Sequence, residues 1–586
     1  MTGFRLLLSA FCFLLSGVGY AQDNGDVLLR AMQDELARSK ELYGLLLDPP
    51  YFMEYRVEDT VSSQLAATLG ALIENRDSAF RAPTVRVRVG NYNFDDTNHI
   101  YSDVYIGTRY DSNQLPLENN YLALRRGFWL ATDRAFKTAE DAIARKRSSL
   151  KNISVPDSLP DYSKASPTRA LLPIQPRDVA SAPWKDKIVK LSAVFSGYPL
   201  VLASGVEMLQ SLSINYVLNS EGTTLRTPED LAYIRIVAHA LAADGSDLRE
   251  ARVYQAFQAS QLPPEDQLLR GTKDVAEHVT QLAQAPLGEA YDGPVLFEAP
   301  AAAQLFGQVL GDNLKLTRKP IGDRGGHQAS EFENRIGSRV LPEWIDVVDD
   351  PTQTEWHGHI LLGHYLYDME GVAAQPVTLV EKGVLKQFLL TRTPVFKDYP
   401  GSNGHARLPG AFGDRAPGFG NLFVRATQTT PAAEMKQKLI QMCKDRNKPY
   451  GMLIRELDYP SSASIDELRK LMASAAGGNH PVVPPLLAYR VYPDGREELV
   501  RGVRFRDVST RSLKDIAVTS DESYVFDLID SNAPFALMGA GSFITTASVI
   551  APAVLFDELE LEPVQEEIPK PPIVPPPALS AQTTGN

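Results

Sequence analysis

Long stretches in which apolar and polar residues alternate constrain this chain most, because a period of two is typical of strands that bury one face. The pattern is clearest between Leu200 and Phe257, where turn signals at residues 219–222 and 243–246 separate the strands. Shorter strand-like segments precede it at Phe52–Val57, Ser63–Ile73 and Val85–Val89. The sequence therefore predicts a set of long strands in the N-terminal half.

Helical patterns accompany these strands. Apolar residues recur at helical spacing from Val27 to Leu47, and Asp48-Pro49-Pro50 cannot continue that helix. A longer helix is predicted from about Tyr121 to Lys151, and a short one over residues 187–196. Together these elements predict an α+β N-terminal region that covers residues 22–286.

The C-terminal half is predicted to be rich in strands and turns. A helix is expected over Asp292–Leu310, followed by a Gly- and charge-rich loop over a cleft at residues 322–338. Strands and turns then continue to Leu561, interrupted by helices at about residues 431–446 and 464–475. The Pro-rich tail at residues 562–586 cannot pack a core and is either solvated or a ligand for a partner's aromatic groove.

Composition and charge narrow the class of protein. With 586 residues, 44% of them hydrophobic, the chain can bury a large core and form two or more domains. A net charge of −13 argues against a nucleic-acid partner bound through its phosphates. Residues 1–21 have one arginine, a short apolar run and small residues at the end, so we expect a cleaved signal peptide and a periplasmic protein without a membrane span.

Cysteine usage leaves one thiol after that cleavage. Cys12 lies in the predicted signal peptide, and Cys443 lies in a helical pattern with apolar neighbours. An intrachain disulfide is therefore excluded in the mature chain. We expect the Cys443 thiol to be buried and inert.

Several motifs of the C-terminal half occur in an order that resembles the TldD/PmbA family. They are Asp368-Met369-Glu370-Gly371, VTLVEKGVLKQFLLTR, SNGHARLP, Gly420-Asn421-Leu422, the hairpin around Pro493-Asp494-Gly495 and the run SFITTASVIAPAVLFDELEL. The resemblance covers most of the mature chain. It implies an α+β fold, in which an α/β N-terminal region is followed by a mixed, strand-rich domain over residues 287–561.

The same resemblance implies a zinc site whose ligands have been replaced. In the family, the segment that corresponds to Leu296–Ala302 carries a His-Glu-x-x-x-His motif, so Phe297 and Ala302 stand at the histidine positions. The third ligand, a cysteine, corresponds to Met538 or a close neighbour. Phenylalanine and alanine have no lone pair for zinc, so no cofactor is favoured. Glu298 remains, either as a vestigial catalytic carboxylate or as an acid favoured at a helix N-terminus.

A histidine-rich segment offers an alternative metal site. EWHGHILLGHYLYD places His357, His359 and His364 within eight residues. On a strand, His357 and His359 would point to one face, while His364 would join them only if Gly363 bends the chain. The segment is thus either a displaced zinc site or a histidine-rich edge strand or loop. His405 stands apart in a glycine-containing loop, where surface placement is expected.

Two functions of different classes follow. Because the resemblance implies paired subunits of which one lacks the zinc ligands, the first is an inactive partner in a homodimer or heterodimer with a TldD/PmbA-like subunit, with a peptide as a possible ligand. The second is an active metallohydrolase that uses zinc at the displaced histidine site, with Glu298 or Glu370 as the base.

Overall fold

The computed structural model describes most of the chain. It covers residues 25–42, 48–102, 115–151, 159–177, 179, 182–324, 327, 330–409, 415–458, 482–531, 544–564 and 574. Within these ranges the helices are α1 Val27–Ser39, α2 Tyr121–Leu150, α3 Ala182–Ala193, α4 Glu265–Gln284, α5 Ala299–Leu305 and α6 Met435–Asp445. The predicted helix from Tyr121 is confirmed almost to the residue.

Strands make up two large sheets and two small hairpins. The strands of the first large sheet are β1 Pro50–Thr68, β2 Ala71–Asn91, β3 Phe94–Asp95, β4 Arg169–Leu171, β5 Val201–Asn219, β6 Thr224–Pro228, β7 Leu231–Leu241 and β8 Asp247–Ala256. Those of the second are β9 Tyr291–Phe297, β10 Ile345–Asp349, β13 Val377–Glu381, β14 Val384–Leu385, β17 Asn421–Ala426, β18 Gly451–Leu457, β19 Pro485–Val491, β20 Glu497–Val500, β21 Val503–Arg506, β22 Ile516–Ser531 and β23 Ile544–Pro563. The hairpins are β11 Glu355–Trp356 with β12 His359–Ile360, and β15 Ala406–Pro409 with β16 Arg415–Pro417.

The first sheet is built on a long hairpin of β1 and β2. The chain reverses at Leu69 and Gly70, which have φ angles of +46° and +82° and connect the paired residues Thr68 and Ala71. The predicted continuous strand Ser63–Ile73 is therefore wrong. The leucine at the first turn position is not a typical turn residue, so the sequence pattern did not indicate the reversal. Strand β5 pairs with β1 on one side and with both β6 and β7 on the other.

Helices cover the apolar surfaces of the first sheet. α1 and α2 pack on it through a core that includes Leu28, Tyr55 and Phe128. α3 and α4 pack on it through a second core that includes Leu191 and Val275. The first predicted helix is shorter than its apolar pattern, since α1 ends at Ser39, and residues 43–47 lie outside the described residues.

The second sheet is mixed, with β9 between β18 and β23. β9 runs parallel to β18 and antiparallel to β23. α5 packs against one part of this sheet, while α6 buries Leu439 and Cys443 against Leu296 and Leu453 on another. Sheets with packed helices in both halves confirm the α+β class.

The domain boundary, a second C-terminal helix and the extended tail remain predictions from the sequence. The domain boundary at residues 286/287 falls between the last strand of the first sheet, which ends at Ala256, and the first strand of the second, which begins at Tyr291. The helix expected at residues 464–475 and nearly all of the Pro-rich tail lie outside the described residues. Among the described helices, none has the length and apolar character that crossing a membrane requires.

Candidate functional site

The segment Asp292–Leu310 is a strand followed by a helix, which corrects the prediction of one continuous helix. Val295 to Phe297 pair with β18 and β23, so this apolar run lies in the interior of the second sheet. Glu298 is the N-cap residue of α5, and Pro300 lies in the first turn of that helix. Proline is well tolerated there because the first turn has no intrahelical partner for its missing N–H. A π-helical stretch at Phe306–Gly311 continues α5.

The two positions assigned to the lost zinc ligands lie in a packed apolar core. The Phe297 ring has centroid distances of 5.5 Å to Phe505 and 5.4 Å to Phe556. Ala302 is fully buried in the same core. Since neither side chain has a donor atom and both are surrounded by apolar groups, these residues do not fit a zinc ion. Met538 lies outside the described residues.

Glu298 forms an ion pair at the start of α5. Its carboxylate lies 3.4 Å from Nε of Arg455, and Nη2 of the same arginine donates to Glu497 at 2.7 Å. The Glu298 side chain is 42% exposed, so this pair is screened by solvent. An acid at a helix N-terminus also interacts favourably with the helix dipole. The surroundings of Glu298 thus match those of an ordinary N-terminal acid.

The histidine-rich segment does not form the shared strand face that the alternative site requires. His357 and Gly358 have φ angles of +49° and +81° and make the two-residue turn between β11 and β12. His357 is therefore a turn residue, whereas His359 begins β12. His359 Nε2 lies 2.6 Å from Asp527 Oδ2, and this hydrogen bond raises the pKa of His359.

His364 has a separate environment. Its Nδ1 lies 2.9 Å from the backbone oxygen of Pro351. The three histidines consequently have different neighbours. Nowhere in the described parts of the chain are three or more His, Cys, Asp or Glu side chains grouped so that they could hold a metal ion.

The hydroxyl group of Ser548, which lies near His359, makes structural hydrogen bonds and is not arranged for nucleophilic attack. Ser548 Oγ donates to Asp527 Oδ1 at 2.6 Å and accepts the backbone N–H groups of Leu362 and Gly363. A serine nucleophile needs a base that takes its proton, usually a histidine. Here the hydroxyl proton points to the carboxylate, and His359 bonds the other oxygen of Asp527.

His405 lies in the core, so the expectation of a surface position is wrong. Its Nε2 lies 2.8 Å from Asp349 Oδ2, and its Nδ1 lies 2.7 Å from the backbone oxygen of Asn403. Asp349 also accepts the N–H of Gly420 at 2.9 Å. The motifs that contain His405 and Gly420 are thus joined through one buried carboxylate. The sequence did not predict this contact because Asp349 and His405 are 56 residues apart.

The turn Asp368-Met369-Glu370-Gly371 is also fixed by hydrogen bonds to buried carboxylates. Asp368 accepts the N–H groups of Glu370 and Val372 at 2.9 Å and that of Ala406 at 3.1 Å. Glu370 is buried and accepts the N–H of Arg392 at 2.7 Å. Burial and the nearby Asp368 raise the pKa of Glu370 to about 7. Both carboxylates therefore have backbone partners that fix the loops around them.

The predicted burial of Cys443 is confirmed. The side chain is 1% exposed and has no disulfide partner. Burial raises the pKa of the thiol to about 11. A thiol with so high a pKa has almost no thiolate at neutral pH and is a poor nucleophile.

A cavity of about 450 Å³ lies against the first sheet, on β5 and β6. Arg177 and Arg226, which line it, are paired with Asp59 and Asp26. Because each arginine is neutralised by an aspartate, these two residues favour neither an anionic nor a cationic ligand. Other lining residues include Pro173, Pro176, Pro183, Trp184, Lys187, Gln210, Pro228, Asp230 and Gln258.

Residues 290–466 are similar in sequence to a known protein family. Residues 290–466 match the PmbA/TldA metallopeptidase C-terminal domain. A metalloprotease of Methanothermobacter thermautotrophicus is 27% identical over 225 residues, which are 36% of this chain and 45% of that protein. Metalloprotease PmbA of Escherichia coli O157:H7 is 30% identical over 116 residues, which are 19% of this chain and 22% of that protein. The chain matches less than half the length of these relatives.

Solved structures extend the likeness of the fold to almost the whole chain. A candidate modulator of DNA gyrase from Thermotoga maritima has a TM-score of 0.57 at 14% identity and covers 91% of this chain and 99% of its own. TldE from Thermococcus kodakarensis has a TM-score of 0.54 at 13% identity and covers 91% of this chain and 99% of its own. The matched domain and the similar metalloproteases place residues 290–466 in the TldD/PmbA family.

Proposed function

We propose that this protein is a non-catalytic, periplasmic member of the TldD/PmbA family that acts as the inactive partner of a TldD/PmbA-like subunit. The observation that carries the proposal is the packing of Phe297 and Ala302 in an apolar core, at the positions that the resemblance assigns to the zinc-binding histidines. A metallopeptidase needs a metal to activate its water. Without ligands at these positions, Glu298 has no metal-bound water to deprotonate.

The partner role has support from the fold. The chain is similar over 91% of its length to TldE from Thermococcus kodakarensis. The family resemblance implies subunits that work in pairs, one with and one without zinc ligands. An inactive subunit that retains the fold can shape a peptide-binding cleft or position the active subunit. We therefore propose a peptide as the ligand of the assembled pair.

The metal content of the purified protein tests the loss of catalysis. We expect less than about 0.2 zinc per chain after dialysis, because a formed structural or catalytic site would retain its metal. The variant His357→Ala/His359→Ala should have the same content. Near one zinc per chain in the native protein, lost in this variant, would establish the displaced site and an active metallohydrolase instead.

Co-expression tests the partner role. A homologue with an intact His-Glu-x-x-x-His motif, expressed in the same periplasm, should purify with this chain at equal stoichiometry. Peptidase activity should require the intact glutamate of that homologue and not Glu298 of this chain. Separate elution of the two chains, with full peptidase activity in the homologue alone, would refute the pairing.

A further inference from the structure

A polar cluster lies where the ion pair between Arg249 on β8 and Asp458, the residue that follows β18, joins the two sheets. Glu250 is on β8, His278 is on α4, which packs on β7 and β8, and Glu456 is on β18. Glu250 and His278 come from the N-terminal half, and Glu456 from the C-terminal half. The proposed function uses none of these three residues.

Glu250 is unusual because it is buried without partners. Its side chain is 0% exposed, and neither carboxylate oxygen has a hydrogen-bond partner among the described residues. His278 Nδ1 lies 4.0 Å from Glu250 Oε1 and is likewise without a hydrogen bond in the described structure. This gap is too long for a hydrogen bond but suits one small polar group that bonds both atoms. Buried polar atoms without partners are rare and indicate a missing ligand or water.

The two arginines beside Glu250 already have acidic partners. Arg252 donates to Asp274 at 2.7 Å, and Arg249 forms an ion pair with Asp458. These two pairs cancel. Burial raises the pKa of Glu250 to about 8, and burial together with Glu250 raises that of Glu456 to about 8. Burial and Arg252 lower the pKa of His278, which favours a neutral imidazole with one acceptor nitrogen.

We propose that Glu250, Glu456 and His278 form a binding site for a primary ammonium group, supplied by the free amino end of a peptide. An ammonium group has three N–H donors, and the cluster offers two carboxylates and one imidazole nitrogen as acceptors. Glu250 and Glu456, with pKa values of about 8, are largely protonated at neutral pH, and the positive charge of a bound ammonium group would favour their ionised forms. The identity of the ammonium as a peptide end rests on the proposed peptide-binding function.

The solvent-accessible member of the carboxyl pair is Glu456. Glu456 is only partly buried, and Tyr524 on β22 is 44% exposed. Tyr524 also lies close enough to Glu456 for that carboxylate to raise the pKa of the phenol, after the larger effect of burial.

Two small cations test the ammonium site on the full chain. Methylammonium has N–H donors and tetramethylammonium has none, so at equal ionic strength only methylammonium should raise the melting temperature, by about 2 °C or more at concentrations above its Kd. Glu456→Gln should lose this difference. Asp266→Asn, at the exposed start of α4, is the matched control and should retain it. EDTA should change neither result. Equal effects of the two cations on the native protein would overturn the ammonium site.

A pair of peptides tests the identity of the ligand. Tetra-alanine amide with a free amino end should bind at least about tenfold more tightly than its acetylated form, measured by calorimetry on the purified pair or the chain alone. Glu456→Gln should reduce this ratio to near one. Equal binding of both peptides would overturn recognition of the amino end while leaving peptide binding intact. Binding of neither peptide, with the methylammonium effect present, would overturn the peptide as the source of the ammonium. The proposed inactive partner role is judged separately, by zinc content and co-purification.

Discussion

At the scale of single residues, the buried and unpartnered Glu250 is expected to make the stability of this protein depend on pH. The pKa of Glu250 in the folded protein is about 8, whereas an unfolded glutamate has a pKa of about 4.3. The folded state therefore binds the proton more tightly, and this contribution to stability is lost as pH rises through about 8. We expect Glu250→Gln, which has no charge to bury, to gain about 2 kcal/mol relative to the native protein between pH 6 and pH 9.

Urea unfolding at several pH values measures this gain. The control Asp266→Asn removes an exposed carboxyl whose hydrogen bond with Arg270 lowers its pKa, so it is ionised throughout the range. Its difference from the native protein should not change between pH 6 and pH 9. A constant difference for Glu250→Gln as well would show that Glu250 does not titrate in this range.

At the scale of elements, the junction of β9 and α5 is stabilised by apolar packing. Phe297 ends the strand inside a group of three rings, and Ala302 is fully buried in the following helix. We expect Phe297→His to lower the free energy of unfolding by about 3 kcal/mol, because it removes ring contacts and buries a polar imidazole. The single change should not increase zinc binding, since one histidine is not a site.

Denaturant unfolding and elemental analysis check this prediction. Phe297→Leu, which retains an apolar side chain, is the matched control and should cost about 1 kcal/mol. A histidine variant as stable as the leucine variant would mean that position 297 tolerates a polar ligand. The structural case against a zinc site at β9 and α5 would then lose its main argument.

At the scale of the whole molecule, buried ion pairs join the first half of the chain to the segment between β14 and β17 of the second sheet. Arg415 donates to Glu54 at 2.8 Å, and both side chains are at most 1% exposed. Arg392 binds Glu221 at 2.7 Å and lies over the Tyr162 ring at 4.2 Å. Breaking such a pair leaves one buried charge without its partner. We expect Arg415→Met to destabilise the protein by about 3 kcal/mol or more.

The double variant Arg415→Met/Glu54→Gln separates lost charge compensation from lost packing. Because it removes both charges, it should recover most of the stability in urea unfolding. A double variant no more stable than Arg415→Met would assign the loss to packing of the arginine chain. Native-like stability of the single variant would exclude the pair as a link between the two halves.

The sequence alone determined those features that depend on neighbours in the chain. The length of α2 follows from an uninterrupted helical pattern between residues 121 and 150, and the burial of Cys443 follows from its place on an amphipathic helix. The order of short motifs in the C-terminal half was enough to indicate the family. Alternation with a period of two identified β5, β7 and β8 as strands.

Tertiary structure decided what the same residues do at long range. A short apolar run such as Val295-Leu296-Phe297 fits a strand or a helix, and pairing with β18 and β23 makes it a strand. His357 separates from His359 because a tight turn falls between them. Arg249 and Asp458 come together only when the two halves pack, as do Glu54 and Arg415, which are 361 residues apart. Local patterns specify which face of an element is buried, whereas the partner of that face is set by packing between elements distant in the sequence.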